Sequence, residues 1–272
     1  MFLPPGTRGA ATVGGMPEQS DAEVVRQNSK YWELLAPHRR GEPVDFFREG
    51  GSALTEAELA AIGDVQGRRV LQLAGSIGDE GLTFAQRGAD VTVVDIAPSH
   101  LETGRAKASA LGLSVDFIEQ DMMSLDPDIT GFDIVYISSG GICWAPNLSD
   151  WAALVADRLN DGGLLVVQEH HPLWEVLTVR GLGELSVTGD YFNAGWDGYD
   201  DQSKAPQVTR VLGVPDAPHR SYVWSVGSLT SALVTAGFTI RSLQEFPELD
   251  MYSGLGERAS SIPATYLLAA TR

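Results

Sequence analysis

Cysteine is nearly absent: Cys143 is the single thiol in 272 residues. That excludes an internal disulfide and any zinc or iron–sulfur site built on several cysteines. Basic residues are scarce too, with 19 Lys and Arg against 36 Asp and Glu, a formal charge of −17. Such a chain repels phosphate backbones and anionic lipid. Its densest basic run, His38-Arg39-Arg40, reads as a solvated helix end. No apolar run approaches the ~20 residues of a membrane span, and residues 1–20 lack the basic start and apolar stretch of a signal peptide. The expected protein is soluble and cytoplasmic, and its partners include neither nucleic acid nor membrane. Residues 1–20 are expected to be a disordered tail.

The composition itself is that of a globular chain, 43% hydrophobic and 20% charged, long enough for one α/β domain with an added lid or insertion. Asp21 to Pro37 reads as a helix. A second is predicted at Thr55 to Ile62, where Thr55 and Glu58 have capping-box spacing; together residues 21–66 form an N-terminal helical lid segment. From Arg69 short apolar runs alternate with helical stretches, the sign of βαβ units around a parallel sheet. The runs are Arg69–Ala74, Val91–Asp95, Val115–Gln120, Phe132–Ser138 and Leu164–Glu169. Helices are predicted at Glu80–Arg87, Ser99–Leu111 and Leu148–Leu159, the last stopped by Asn160-Asp161-Gly162-Gly163. Residues 172–226 break the rhythm with glycine, proline and the aromatics Trp174, Tyr191, Phe192, Trp196, Tyr199 and Tyr222, as expected of a loop-rich, acceptor-binding insertion. A helix at Ser228–Ala236 and strands at Phe238–Phe246 and Thr265–Thr271 complete a count of seven strands.

The first strand runs through Ala74-Gly75-Ser76-Ile77-Gly78 into a helix. Small residues there let a ligand approach the backbone, beside the free N–H groups of a helix N-terminus; a tight packing turn is the structural alternative. The second strand ends at Asp95, followed by Ile96. A carboxylate in that place accepts from both ribose hydroxyls of a nucleoside, or caps the next helix. A dinucleotide and S-adenosylmethionine both suit a glycine loop with a strand-end acid. The dinucleotide pattern needs a second glycine where Ile77 stands. Asp121-Met122, after the third strand, offers a carboxylate to an adenine amino group and an apolar cover to its ring. The residues therefore point to adenosine without pyrophosphate.

These segments, followed by Phe132-Asp133-Ile134-Val135-Tyr136 and Leu159-Asn160-Asp161-Gly162-Gly163, together resemble the motif series of class I S-adenosylmethionine-dependent methyltransferases. Cys143-Trp144-Ala145-Pro146-Asn147-Leu148, Glu169-His170-His171-Pro172 and Tyr222-Val223-Trp224 are similar to stretches of a bacterial small-molecule subgroup. The resemblance implies a Rossmann-like seven-stranded sheet of order 3-2-1-4-5-7-6 with strand 7 antiparallel and helices on both faces. It implies that Ala74, Gly75, Ser76 and Gly78 approach the methionine part, that Asp95 meets the ribose and Asp121 and Met122 the adenine, with Ile96 also among the cosubstrate-binding residues. Ser138, Ser139 and Gly140 would flank the sulfonium, with Tyr31 and Trp32 folding over it. Two departures stand out. The family's first motif usually reads G-x-G-x-G, where this chain has Ala74, Ser76 and Gly78, and the subgroup follows Y-x-W with Asn-His, where this chain has Ser225-Val226.

Methyl transfer from a sulfonium needs in-line positioning and exclusion of water; it needs no metal, and a base only where the acceptor must lose a proton. His170 and His171, at the carboxyl end of the fifth strand, are the candidate bases, with Glu169 orienting an imidazole or pairing with an arginine. Trp144 and the insertion aromatics are candidates to line an apolar acceptor pocket; Trp174, Trp196 and Trp224 are alternatively a small core of the insertion. The expected activity is O- or N-methylation of a small molecule, by a monomer or homodimer that converts S-adenosylmethionine to S-adenosylhomocysteine. Alternatives are an S-adenosylmethionine-binding protein that transfers no methyl group and an NAD-dependent oxidoreductase.

Overall fold

The computed structural model describes residues 21–181, 183–192, 196–198 and 219–272. The expected tail, residues 1–20, and Tyr199 lie outside them, as does the side chain of Trp196. The main sheet comprises β1 (Arg69–Leu73), β2 (Asp90–Asp95), β3 (Asp116–Glu119), β4 (Phe132–Ile137), β5 (Leu159–His170), β6 (Thr239–Phe246) and β7 (Thr265–Thr271). Their order is β3-β2-β1-β4-β5-β7-β6. The pairs from β3 to β5 are parallel, and β7 runs antiparallel to both its neighbours. This is the sheet that the resemblance implies.

Alternation along the strands builds two cores, because successive side chains leave a strand on opposite faces. Leu71, Leu73, Val135, Ile137, Leu165 and Val167 face Trp151 and Val155 of α6 (Leu148–Arg158) and Leu229 and Leu233 of α8 (Val226–Thr235). Val70, Val91, Val93, Ile134 and Val166 face the other side, against Ile62 of α3 (Glu56–Ile62), Leu82 and Phe84 of α4 (Asp79–Gln86) and Leu101 of α5 (Pro98–Leu111). Gln72 is a fully buried polar exception. Its amide donates to Glu80 Oε2 at 2.8 Å and accepts from Gly81 N at 2.9 Å, so it fastens α4 to β1.

The Thr55–Glu58 capping box forms at the start of α3: Glu58 N donates to Thr55 Oγ1 at 3.2 Å and Thr55 N to Glu58 Oε2 at 2.8 Å. The Asn160–Gly163 stop differs from expectation. α6 ends at Arg158, and those four residues bulge within β5, whose pairing with β4 jumps from Phe132–Leu159 to Ile134–Leu164. Gly162, at φ 75°, makes the bulge sterically acceptable.

The short helix α7 (Pro172–Val176) is followed by a hairpin of Leu177–Arg180 with Glu184–Val187. Trp196–Gly198 pairs with Arg220–Tyr222. Trp174 and Trp224 share no core: Trp174 packs with Tyr252, Leu255 and Ala259 of a 3-10 segment at Leu249–Ser261, whereas Trp224 packs on the α6 side of the sheet and donates Nε1–H to Ala145 O at 2.8 Å. The remaining helices are α1 (Asp21–Leu35), followed by a 3-10 turn at Ala36–His38, and α2 (Val44–Arg48).

Candidate active site

The carboxyl ends of β1, β2 and β4 open onto a cavity of about 520 Å³. Of the residues singled out from the sequence, Ala74, Ser76, Asp95, Ile96, Asp121, Met122, Ser138 and Ser139 line it, and α1 crosses it with Val24, Asn28 and Trp32. A second, more polar cavity of about 360 Å³ adjoins it and is lined by Gly75 and Gly78. Arg39, Ser76, Ser138 and Ser139 border both.

The glycine loop is held tightly. Backbone at Ala74, Ser76 and Gly78 is left-handed, with φ of 48°, 52° and 81°, so the residues standing at the family's three glycine positions keep a glycine-like conformation. Ala74 and Ser76 do so at a steric cost of order 1–2 kcal/mol each. Gly75 has no space for a side chain, since a Cβ there would lie 2.6 Å from Val93 Cγ1 and 3.0 Å from the Gln72 side chain. Gly104 of α5 is similarly confined, 2.3 Å from Ile77 O on the same construction.

Asp95 is 8% exposed. One carboxylate oxygen accepts from Ser76 N at 2.7 Å and the other from Ala97 N at 2.9 Å, joining the glycine loop to the end of β2. Burial raises its pKa, against the hydrogen bonds from Ala97 and Ser76 and the charge of Arg39. Each oxygen keeps acceptor capacity for a ligand hydroxyl. Asp121 holds its own turn by accepting from Met123 N at 3.0 Å, and Met122 beside it is buried.

Arg39 corrects the reading of the basic run as a solvated helix end. It turns inward between the two cavities, its guanidinium 5.1 Å from the centre of the Trp32 ring, close enough to feel the charges of Asp95, Glu80 and Asp79. Burial lowers its pKa, offset by those acids. Glu80 in the second cavity has a pKa raised by burial. Neither group carried a sequence signal beyond its charge, because only the fold brings the α1–α2 connection against the glycine loop.

His100 also lines the first cavity. It is 1% exposed, Nδ1 lies 3.2 Å from Ser76 Oγ, and its pKa is lowered to about 4, chiefly by burial and then by Arg39. Tyr31 departs from expectation: buried and stacked on His219 at 4.0 Å, it supports the wall while its neighbour Trp32 faces the cavity. Trp32 in turn meets Trp144 edge-on at 5.2 Å.

The two candidate bases differ. His171 is committed to structure: Nδ1 accepts from Leu173 N at 3.2 Å, capping α7, and Nε2 lies 2.9 Å from Glu245. His170 packs on Trp174 at 4.8 Å, and burial lowers its pKa. Neither lines the two cavities. Among the described residues Glu169 pairs with no arginine; its carboxylate accepts from the amides of Gly140, Ile142 and His170 and lies 3.9 Å from the His170 imidazole Nδ1. Among the described residues no group of three or more His, Cys, Asp or Glu side chains is arranged to hold a metal, and no helix is long and apolar enough to cross a membrane.

The sheet order is the one found in S-adenosylmethionine-dependent methyltransferase structures, and residues 70–163 match the family model described as a methyltransferase domain. A demethylmenaquinone methyltransferase of Thermus thermophilus is 37% identical over 110 residues, 39% of this chain and 48% of the relative; the chain thus spans about half of that curated relative. The structure of an S-adenosylmethionine-dependent methyltransferase from Mesorhizobium loti superposes with a TM-score of 0.60 at 20% identity, covering 78% of this chain and 94% of the other. The (4+2)-cyclase SpnF superposes at 0.57 with 15% identity, covering 90% and 94%. At those identities the likeness is one of fold.

Proposed function

We propose that the protein transfers a methyl group from S-adenosylmethionine to the oxygen or nitrogen of a small molecule. The observation that carries this reading is the pair of adjoining cavities that meet at Ser76, Ser138 and Ser139. Their linings fit an elongated cosubstrate. In the first, Asp95 suits the ribose hydroxyls, Ile96 and Met122 the faces of the adenine and Asp121 its amino group. In the second, Glu80 suits the α-ammonium and Arg39 the α-carboxylate of the amino-acid end, a charge-assisted pairing.

When bound, S-adenosylmethionine supplies a methyl group already activated by its sulfonium. The work left to this chain is orientation and dryness. Ser138, Ser139 and Gly140 form the wall between the two cavities, and α1 acts as a lid, with Trp32 and Trp144 excluding water. The segment 172–226 is proposed to receive the acceptor. His170, whose depressed pKa leaves a neutral imidazole at pH 7, is the favoured base for an acceptor that must shed a proton; His171 is withdrawn from that role because both its nitrogens are engaged.

A second reading, binding without methyl transfer, rests on Ser225-Val226 standing where the subgroup has Asn-His; Ser225 here caps α8 by accepting from Ser228 N at 3.0 Å. The likeness of fold to a cyclase is compatible with it. Production of S-adenosylhomocysteine in the presence of an acceptor separates the two.

The test of the leading reading is calorimetric binding of S-adenosylmethionine, S-adenosylhomocysteine and NAD, repeated with Asp95→Ala. Micromolar binding of a sulfur ligand, weakened by about 1–3 kcal/mol in the variant, is expected. Binding of NAD alone would replace the reading with an oxidoreductase.

A further inference from the structure

Ser138 and Ser139, which border both cavities, and Gly140, which borders the first, belong to one loop. Its internal turn engages the Gly141 amide, which donates to Ser138 O at 3.0 Å, while the amides of Gly140 and Ile142 turn to the buried carboxylate of Glu169. The Ile142 bond measures 2.9 Å, and the same carboxylate accepts from His170 N at 2.7 Å. Its side chain is 5% exposed. The loop starts in β4 and the carboxylate sits at the end of β5, so an acid on one strand shapes a cavity wall carried by its neighbour. Ser139 Oγ donates to Gln168 on the same strand, so the loop is tied to β5 by two consecutive side chains.

We infer that Glu169 is a positioning residue for cosubstrate binding, which fixes the 138–142 loop by accepting from its amides and so sets the shape of the wall between the cavities. The inference rests on the S-adenosylmethionine reading above. It assigns Glu169 no contact with any ligand.

The carboxylate accepts most strongly from the three amides while ionised, because protonation turns one oxygen into a donor and weakens the bond made to it. Burial raises Glu169 to about 7, against the bonds from Gly140, His170 and Ile142 that favour the charged form. The titratable groups packed around it are His170 beside it on β5, Cys143 after the loop, Tyr136 on β4 and Tyr266 on β7, with Glu175 of α7 facing Cys143 and His170. Burial pushes Cys143 and both tyrosines well up and His170 down, so at and above pH 7 these four stay neutral and Glu169 is the group whose charge changes. Loss of its charge as pH falls through about 7 weakens its hold on the Gly140 and Ile142 amides.

The experiment is calorimetric binding of S-adenosylhomocysteine to the full chain between pH 6.0 and 8.5, with wild type and Glu169→Gln, together with hydrogen exchange of the 138–142 amides in the ligand-free wild type at both ends of that range, corrected for the intrinsic pH dependence of exchange. Wild type is expected to bind roughly five- to tenfold tighter at pH 8.5 than at pH 6.0, and its loop amides to be better protected at pH 8.5. Glu169→Gln is expected to bind more weakly than wild type at pH 8.5, with the pH dependence gone. A flat wild-type profile, loop protection that does not change with pH, or a variant that keeps the wild-type profile overturns the inference while leaving the cosubstrate reading intact. No binding by wild type at any pH removes both. The wild-type measurements need no variant, so a Gln substitution that fails to fold does not shield the idea.

Discussion

Asn28 on α1 and Arg220 on the strand facing Trp196–Gly198 exchange two hydrogen bonds: Asn28 Nδ2 donates to Arg220 O at 3.0 Å, and Arg220 N donates to Asn28 Oδ1 at 2.8 Å. A side-chain amide here pairs with a backbone as a neighbouring strand would. The helix across the cavity is thereby fastened to the segment proposed to take the acceptor. It is also fastened to the end of β2 and the start of α5, because Ser29 Oγ donates to Ile96 O at 3.1 Å and Glu33 accepts from Ser99 N at 3.0 Å and from Ser99 Oγ at 2.5 Å. α5 has no side-chain cap of its own at Ala97. Glu33 supplies one from another helix.

Asn28→Ala removes both of these bonds from the part-buried Arg220 backbone. The expected loss is about 1–3 kcal/mol of stability, read as a lower midpoint in urea unfolding. Affinity for S-adenosylhomocysteine should fall with it, since α1 loses one of its two anchorages; an unchanged affinity would mean that the helix is cover and nothing more.

Arg39→Met tests the amino-acid end. S-adenosylhomocysteine is expected to lose about 1.5–3 kcal/mol of binding, the range for hydrogen bonds to a charged group. 5′-Methylthioadenosine has no amino-acid end and should bind the variant and the wild type alike. Equal losses for both ligands would assign Arg39 to the general stability of the site.

Gly75→Ala places a methyl group against Val93 and Gln72. Overpacking of that kind costs about 1–3 kcal/mol, and the displaced loop should weaken S-adenosylhomocysteine as well. Thermal unfolding and calorimetry read the two effects separately. A variant indistinguishable from wild type in both would contradict the close packing of the loop.

His100 predicts an acid limb in the stability curve. Its pKa in the folded protein, about 4, lies below its ordinary 6.5, so the unfolded chain takes up a proton that the folded chain refuses. The neutral form is favoured on folding; its contribution is complete above pH 6.5 and is lost as pH falls towards 4. By pH 4.5 the loss amounts to about 2–3 kcal/mol. His100→Leu should remove this limb from urea unfolding measured at pH 7, 5.5 and 4.5, and an equally steep decline in the variant would point to other groups.

The sheet was legible because its strands carry dense runs such as Val91–Asp95 and Phe132–Ile137, and alternation needs no tertiary knowledge to be read. The glycine loop and Asp95 were legible from their spacing. Arg39 was not: its sequence neighbours are His38 and Arg40, both exposed, and the connection that carries it is tied to the start of α4 only in the fold, where Glu42 N donates to Asp79 at 2.7 Å. His171 misled for a related reason. A histidine at a strand end has the same signature whether it faces a ligand or caps the next helix, and Glu245, which engages its other nitrogen, lies on β6. The 3-10 segment Leu249–Ser261 buries Tyr252, Leu255 and Ala259, the core on which Trp174 rests, but its backbone departs from helix at Tyr252 and Gly256, and a short kinked segment of this kind was not read from the sequence.

The position of β7 also bears on how the molecule comes into being. During synthesis β5 emerges with one flank paired to β4 and the other bare, and the strand that fills that flank is encoded only at 265–271. Until those residues leave the ribosome, Leu165, Val166 and Val167 border an open edge, and β6 has no neighbour to join. The nascent chain therefore carries a sticky seam from the end of β5 at His170 until β7 at Thr265 is made. Chaperone dependence in the cell, and low recovery of any version cut short before Thr265, would both trace to this one crossing of the chain.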